Sequence, residues 1–190
     1  MINPIHSQQL ALIGERGCGK TSLILDLVEA FQKSGVAMAG IVSIGIFEQG
    51  EKVAIEVVDL MSGESRLLAR IQKEVETDLR FGDWSFFPET FEWANQQLGS
   101  ISQTDLLILD EIGPLELDQG SGFQDGLSLF EKGNFHLGIL TARPKCVVAL
   151  QNRLTNLKLF LMASWDKNEL FNYILSFGDR IKWHLNDDRI

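Results

Sequence analysis

The chain has 190 residues, of which 45% are hydrophobic, 17 are Lys or Arg and 26 are Asp or Glu, giving a net charge of −9. This composition predicts one globular domain over residues 1–190, and the acidic balance argues against nonspecific nucleic-acid binding, which requires many cations. The apolar runs are too short to cross a membrane, and the first residues lack a signal-peptide pattern. We therefore expect no nucleic-acid partner, no membrane and a cytoplasmic location.

The first third of the chain predicts a strand, a glycine-rich loop and a helix, followed by β-rich sequence. Gln8 to Ile13 can form a short strand, and apolar residues recur at helical spacing from Lys20 until Gly35 offers a stop. We interpret the next stretch as antiparallel strands inserted after this helix, with a bulge at Val58, where the alternation of apolar residues breaks. The predicted strands are Val36–Phe47, Lys52–Leu60 and Ser65–Ala69.

The remaining sequence alternates strands with helices. The predicted strands are Leu106–Leu109, Phe135–Thr141 and Leu157–Ala163. The predicted helices run from Pro88 to Gly99, around Phe123 to Phe130, from Pro144 to Leu154, and from Asp166 onward. This alternation favours an α/β fold with a mainly parallel sheet covered by helices on both faces. The polar tail, residues 178–190, receives no assignment.

A glycine-rich loop between the first strand and helix matches the pattern G-x-x-x-x-G-K-[ST] in full. Its glycines allow the backbone N–H groups to turn inward around a β-phosphate, and the following helix adds its positive N-terminal end. Lys20 places an ammonium against the β- and γ-phosphates, and the Thr21 hydroxyl can ligate Mg²⁺. The predicted nucleotide contacts are Gly14, Glu15, Arg16, Gly17, Cys18, Gly19, Lys20, Thr21 and Ser22.

An acidic pair follows the buried strand that ends at Leu109. In proteins with a phosphate loop, an Asp at the end of such a strand provides the second anchor for Mg²⁺, so we predict Thr21 and Asp110 as the magnesium residues. Glu111 comes next and is predicted to orient the attacking water as the catalytic base, with Lys20 neutralising the charge that develops on the phosphate.

Weaker candidates surround this pair. If the strand that ends at Thr141 neighbours the Asp110 strand, Thr141 and Arg143 emerge at the same edge, where Thr141 could sense the γ-phosphate and Arg143 could act on it. Glu116 is equally compatible with a surface loop and a role in the site. Four aromatic residues could stack a base, although core packing is their default role. They are Trp84, Phe86, Phe87 and Phe91.

The loop and the run Asp-Glu-Ile-Gly-Pro-Leu-Glu-Leu at residues 110–117 together resemble the small nucleoside-triphosphatase family first described from thermophiles. The β-rich stretch from Gly40 to Ala69 and the segment from Trp84 to Leu98 also look like that family. The resemblance covers roughly Gln8 to Ser176. One departure is Arg16, at a position where the family often carries proline.

The resemblance implies a RecA-like P-loop fold and slow, Mg²⁺-dependent hydrolysis of nucleoside triphosphates to diphosphates, with ATP, GTP and CTP all accepted. It also implies that residues 14–21 bind the phosphates, that Glu111 positions the water, and that one further segment lines the other side of the nucleotide. That segment consists of Asp110, Glu111, Ile112 and Gly113.

Two alternatives to a hydrolase remain open. A nucleotide or nucleoside kinase would need an acceptor pocket and commonly an arginine-bearing lid. Arg66 and Arg70 form the only close arginine pair, and they are expected on or beside a strand. A nucleotide-dependent switch would bind the same ligand and dispense with Glu111.

Overall fold

The computed structural model describes residues 7–71 and 79–187, which form nine strands and six α-helices. The strands are β1 (Gln8–Ile13), β2 (Met38–Glu48), β3 (Glu51–Asp59), β4 (Ser65–Arg70), β5 (Arg80–Phe81), β6 (Trp84–Phe86), β7 (Thr104–Ile112), β8 (Phe135–Ala142) and β9 (Leu157–Leu161). The helices are α1 (Lys20–Lys33), α2 (Pro88–Gly99), α3 (Pro114–Leu117), α4 (Gln124–Lys132), α5 (Val147–Arg153) and α6 (Lys167–Asp187).

The nine strands form a single sheet in the order β5-β6-β4-β3-β2-β7-β8-β1-β9. Strands β9, β1, β8 and β7 pair in parallel and are called the parallel half; β3 to β6 pair antiparallel and are called the antiparallel wing. Strand β2 joins the two, because Met38 to Ile41 pair in parallel with β7 while Ile41 to Glu48 pair antiparallel with β3. The predicted insertion is therefore an extension of the main sheet.

Helices cover both faces of the parallel half, as the sequence predicts. Leu10 and Leu12 of β1 pack in one apolar cluster with α1 and α6, whereas Ala11 and Ile13 pack in a second cluster with α2 and α4. Alternate residues of a strand point to opposite faces, so a strand that is buried on both faces must be apolar throughout. Among the helices of the described chain, none is long and apolar enough to cross a membrane.

Two predicted elements near the C-terminus are shorter in the structure. The helix predicted from Pro144 begins as a 3₁₀ turn, in which the Cys146 N–H donates to the Arg143 carbonyl over 2.9 Å, and α5 starts only at Val147. The strand predicted to reach Ala163 ends at Leu161. Leu161 pairs with the last residue of β1, so the chain beyond it loses its partner strand and forms a 3₁₀ turn.

Two other predictions need correction. Val58 pairs regularly with Val42 and Ser65, and the register shifts of β3 lie elsewhere, opposite Ile46–Phe47 and at Ile55–Glu56. Val58 is half-buried on the face opposite Val57, which explains why an apolar residue there needs no bulge. The backbone of α6 is helical through position 187, so most of the unassigned tail continues this helix, and residues 188–190 lie outside the described chain.

Candidate functional site

The glycine-rich loop connects the carboxyl end of β1 to the first turn of α1. Gly17 and Gly19 adopt φ angles of 79° and 93°, a left-handed conformation that residues with a Cβ rarely reach. The Gly14 N–H donates to the Ala142 carbonyl over 3.2 Å and thereby ties the loop to β8. The loop therefore curls at the edge of the sheet where the parallel strands end, with the positive end of α1 behind it.

Lys20 is held inside this loop. Lys20 is only 9% exposed, and its ammonium donates to the carbonyls of Gly14 at 2.6 Å and Glu15 at 2.9 Å. A phosphate oxygen would be a stronger, charge-assisted partner for the same ammonium. The loop thus presents the cation and the helix end that a bound polyphosphate requires.

Asp110 is completely buried behind the loop, and each of its oxygens is hydrogen-bonded. Oδ1 accepts from the Thr141 hydroxyl at 2.6 Å, whereas Oδ2 accepts from the Thr21 hydroxyl at 2.9 Å and from the Ser43 N–H at 3.3 Å. Burial raises the pKa of Asp110 to about 6, although the hydrogen bond from Thr141 opposes this rise. The carboxylate is consequently fixed in position but poorly stabilised in its charged form.

The pair formed by Thr21 and Asp110 fits a magnesium ion. Mg²⁺ prefers hard oxygen ligands and usually keeps several waters, so one hydroxyl and one nearby carboxylate are a suitable protein contribution. The two side chains, 89 residues apart in sequence, already lie in hydrogen-bond contact. A cation beside Asp110 would also stabilise the ionised form that burial disfavours.

Glu111 faces away from Asp110, as consecutive residues of a strand do, and the backbone of β7 is distorted at Glu111. Glu111 has a φ angle of 64°, and the pairing of β7 with β8 shifts register between Leu109 and Ile112. The Thr141 hydroxyl accepts from the Glu111 N–H at 2.8 Å, which supports this conformation. A left-handed non-glycine residue costs about 1–3 kcal/mol and is characteristic of functional sites. The Asp110 side chain points into the interior and the Glu111 side chain into an open cleft, so the distorted residue is the one that faces the cleft.

The cleft in front of the loop has a volume of about 620 Å³, within the usual range for small-molecule sites. It joins the loop, the ends of β2 and β7, and the inner side of the antiparallel wing. Trp84 forms part of its wall, with the Arg16 guanidinium 5.5 Å and the Lys52 ammonium 5.9 Å from the ring centroid. Phe86 and Phe91 also line the cleft, and both pack against the apolar core, in which Phe91 is buried, as the default interpretation predicts.

Glu116, which the sequence left undecided, is a buried residue that ties two loop segments together. It is 4% exposed; its Oε2 accepts from the Gly113 N–H at 2.9 Å and its Oε1 from the Phe123 N–H at 3.1 Å. Burial is the largest influence on Glu116 and raises the pKa of its carboxyl group. Its hydrogen bonds hold Gly113 at the edge of the cleft.

The structure brings most of the predicted residues to one place. Those that line the cleft are Arg16, Gly17, Gly19, Lys20, Thr21, Ser22, Glu111, Ile112, Gly113 and Arg143. Gly14, Glu15 and Cys18 belong to the same loop, and Asp110 lies directly behind it. Thr141 is completely buried, and its hydroxyl donates to Asp110 and accepts from the Glu111 N–H; its contact with a γ-phosphate stays a prediction.

Sequence reasoning missed two residues of the site. Ser43, at 1% exposure in β2, offers its backbone N–H to Asp110. Lys52 places its ammonium 3.3 Å from the Glu111 carboxylate. Both lie in strands that were recognised only as β-rich sequence, and the alternation of β3 simply marked Lys52 as a polar strand residue. Only the pairing of β2 with β7 and β3 brings them to the site.

Comparisons with known proteins agree on one family. A family model described as NTPase matches residues 9–175. A protein of Methanopyrus kandleri named nucleoside-triphosphatase THEP1 is 33% identical over 119 residues, which cover 62% of this chain and 64% of the relative. The protein of the same name from Archaeoglobus fulgidus is 34% identical over 110 residues, which cover 57% and 62%. The matched part thus spans under two thirds of these relatives.

Two solved structures share the fold. The solution structure of a human cancer-related nucleoside triphosphatase has a TM-score of 0.64 and 24% identity, covering 90% of this chain and 96% of its own. The crystal structure of THEP1 from Aquifex aeolicus has a TM-score of 0.66 and 19% identity, and the match covers 89% of this chain and 98% of that structure's chain. The predicted α/β P-loop fold is confirmed by this likeness. Since the family model spans most of the chain, this protein belongs to the NTPase family.

Proposed function

We propose that this protein hydrolyses nucleoside 5′-triphosphates to the diphosphate and phosphate, with Mg²⁺ as cofactor and with broad base specificity that includes ATP and GTP. The observation that carries the proposal is the arrangement of two carboxylates beside the phosphate loop. Asp110 is buried against the Thr21 hydroxyl, whereas Glu111 faces the cleft. The names of the curated relatives, nucleoside-triphosphatase, support the same reaction class.

The residues of the site have separate roles in this reaction. The loop N–H groups and Lys20 bind the phosphate tail, with the Lys20 ammonium exchanging its carbonyl partners for phosphate oxygens. Thr21 and Asp110 would hold Mg²⁺, which when bound neutralises charge on the β- and γ-phosphates. The Glu111 carboxylate accepts the proton of a water whose oxygen bonds to the γ-phosphorus, while the bond from that phosphorus to the diphosphate breaks.

Two features of the cleft support broad base specificity. The loop contacts the phosphate tail, which is common to all nucleoside triphosphates. The Trp84 side of the cleft offers aromatic surface, and stacking on such surface does not distinguish strongly between bases.

A phosphate-release panel tests the proposal directly. ATP, GTP, CTP and UTP are each incubated with the protein, with Mg²⁺ or with a chelator. We expect phosphate release from all four with rates within about tenfold, the factor that roughly 1.4 kcal/mol of differential binding gives, and loss of release in the chelator. Absence of release from every nucleotide contradicts hydrolysis, a single accepted base contradicts the broad specificity, and release in the chelator contradicts the role of Mg²⁺.

A kinase is the second candidate, because the cleft continues past Glu111 to Trp84 and Phe86 and leaves room for an acceptor. The arginine pair does not support it. Arg66 lies in β4, where it donates to Glu64 and its guanidinium lies 4.7 Å from the Trp93 ring, so it faces a different neighbourhood. Phosphate release in the absence of any added acceptor favours the hydrolase, whereas diphosphate formation that requires an acceptor and yields no free phosphate favours the kinase.

A further inference from the structure

Lys52 reaches from the antiparallel wing to the acidic pair of the parallel half. Its ammonium lies 3.3 Å from Glu111 Oε1, although the two residues are 59 positions apart. The Lys52 side chain is 13% exposed, and the Glu111 side chain is 36% exposed. Lysine side chains are rarely this buried without a charged partner. The wing therefore delivers a cation to the carboxylate that is proposed to activate water.

The direction of the Lys52 side chain is built into the hairpin of β2 and β3. The hairpin shifts register between Ile46 and Phe47, and Lys52 pairs with Phe47 directly after this shift. The Lys52 stem then lies over Gly45, where an added Cβ would stand 2.8 Å from the lysine Cε, 2.9 Å from the Phe47 Cε2 and 3.2 Å from the lysine Cδ. The missing side chain at position 45 thus creates the space for the lysine stem, and the Trp84 ring lies near its ammonium.

The negative charges around the γ-phosphoryl group favour a second cation, besides Lys20, next to Glu111. A carboxylate that activates water beside the γ-phosphoryl group adds negative charge next to oxygens that are already negative. Lys20 comes from the loop side, whereas Lys52 enters the same cleft from the opposite wall, next to Glu111. In phosphoryl transfer, an arginine supplied to the γ-phosphoryl oxygens from a separate segment accelerates the reaction by about 10³–10⁵-fold, and a lysine ammonium can neutralise the same oxygens as a point charge.

We propose that Lys52 is a further catalytic residue, which donates to a γ-phosphoryl oxygen in the transition state. On entry of the triphosphate, the ammonium exchanges Glu111 for this oxygen and leaves the carboxylate free to accept the water proton. The water oxygen bonds to phosphorus, the bond to the diphosphate oxygen breaks, and that oxygen keeps the electron pair. Lys52 retains its proton throughout. This inference rests on the proposed function.

The test compares Lys52→Met with Lys33→Met, a matched control because the Lys33 side chain is 73% exposed on α1. We expect kcat of Lys52→Met to fall about 10²–10³-fold, the usual loss when one preorganised donor to the transition state is removed. The affinity for the diphosphate should stay within threefold of the parent value, as should all constants of Lys33→Met. Affinity for the diphosphate with aluminium fluoride, which imitates the transferring group, should fall by a factor similar to kcat.

Two further variants keep the test informative if Lys52→Met folds poorly. Lys52→Arg retains a cation and should recover part of kcat. Gly45→Ala inserts a methyl group into the space of the lysine stem, so the single variant should have a lower kcat than the parent. When it is combined with Lys52→Met, kcat should not fall below that of Lys52→Met.

Several results would overturn the inference. Turnover of Lys52→Met within threefold of the parent excludes a catalytic role, and faster turnover would show that the Lys52–Glu111 pair is inhibitory. An equal loss of diphosphate affinity and kcat would indicate a structural role. If the parent protein releases no phosphate, both the proposed function and this inference fail. If the parent releases phosphate and the Lys52 variants release it at the same rate, only this inference fails.

Discussion

The parallel half and the antiparallel wing build opposite walls of one cleft in different ways. The parallel half contributes backbone groups, Lys20 and the two carboxylates at the ends of strands that are buried on both faces. The wing contributes long side chains, Lys52 and Trp84, that reach inward from less buried strands. Groups that are fixed by backbone suit ligand binding, whereas reaching side chains can change partners when a ligand arrives.

This contrast separates binding from turnover. We expect changes in the loop to weaken nucleotide affinity, and changes at the junction of the two regions to slow the chemical step. Four predictions, taken from the largest expected effect to the smallest, test this separation or refine it.

Lys20→Ala should weaken binding of a nucleoside triphosphate by roughly 10²–10³-fold, because truncating one partner of a buried charged pair costs about 2–5 kcal/mol. Titration calorimetry with a nonhydrolysable triphosphate measures the effect, and Lys52→Met serves as the contrasting variant from the wing. Full affinity in Lys20→Ala would refute the assignment of binding to the loop.

Glu111→Gln should lower kcat by about 10²-fold while the affinity for the Mg²⁺-nucleotide stays close to that of the parent, since an amide cannot accept the proton of water. Single-turnover phosphate release gives the rate and equilibrium binding gives the affinity. Unchanged turnover would show that Glu111 does not activate the water and that another group does.

Asp110→Asn should stabilise the protein by about 3 kcal/mol at pH 7.5 without Mg²⁺, since one pKa unit corresponds to about 1.4 kcal/mol. The folded-state pKa of Asp110 is raised from 3.8 to about 6 by burial. The folded protein therefore binds this proton more tightly than the unfolded chain, and the carboxyl group costs stability as pH rises from about 4 to 6.

Urea denaturation at pH 7.5 and pH 5 measures this difference. The advantage of Asp110→Asn should be largest above pH 6 and should shrink toward pH 4. An advantage that grows on acidification would show that the buried carboxylate stabilises the fold. The same variant should lose Mg²⁺-dependent turnover, which would identify the position as one where stability is given up for function.

Thr141→Val should raise the Mg²⁺ concentration needed for half-maximal turnover by about tenfold, the lower end of the usual effect when a residue that orients a metal ligand is changed. The hydroxyl supports both Asp110 and the Glu111 backbone, so its loss affects the metal and the distorted strand together. Thr141→Ser keeps the hydroxyl and is the matched control; equal Mg²⁺ requirements for both variants would contradict the supporting role.

Much of the architecture follows from local pattern. The strand–loop–helix unit, the buried run of β7 and the alternation of later strands and helices were all predicted from apolar spacing, because these signals reflect burial within one element. The wrong predictions concern strand ends and bulges, which depend on the neighbouring strands of the sheet. Strand β9 ends at Leu161 because its partner strand ends there, and the bulges of β3 follow from pairing and not from the alternation around Val58.

The sequence alone determined the phosphate loop, since eight consecutive residues carry its backbone freedom, its cation and its hydroxyl in one local motif. Tertiary structure decided the rest of the site. The burial of Asp110 against Thr141 depends on the pairing of β7 with β8. The contact of Lys52 with Glu111 depends on a hairpin laid beside the parallel strands. Such contacts join residues distant in sequence, so their geometry is set by strand order and register and leaves no pattern along the chain.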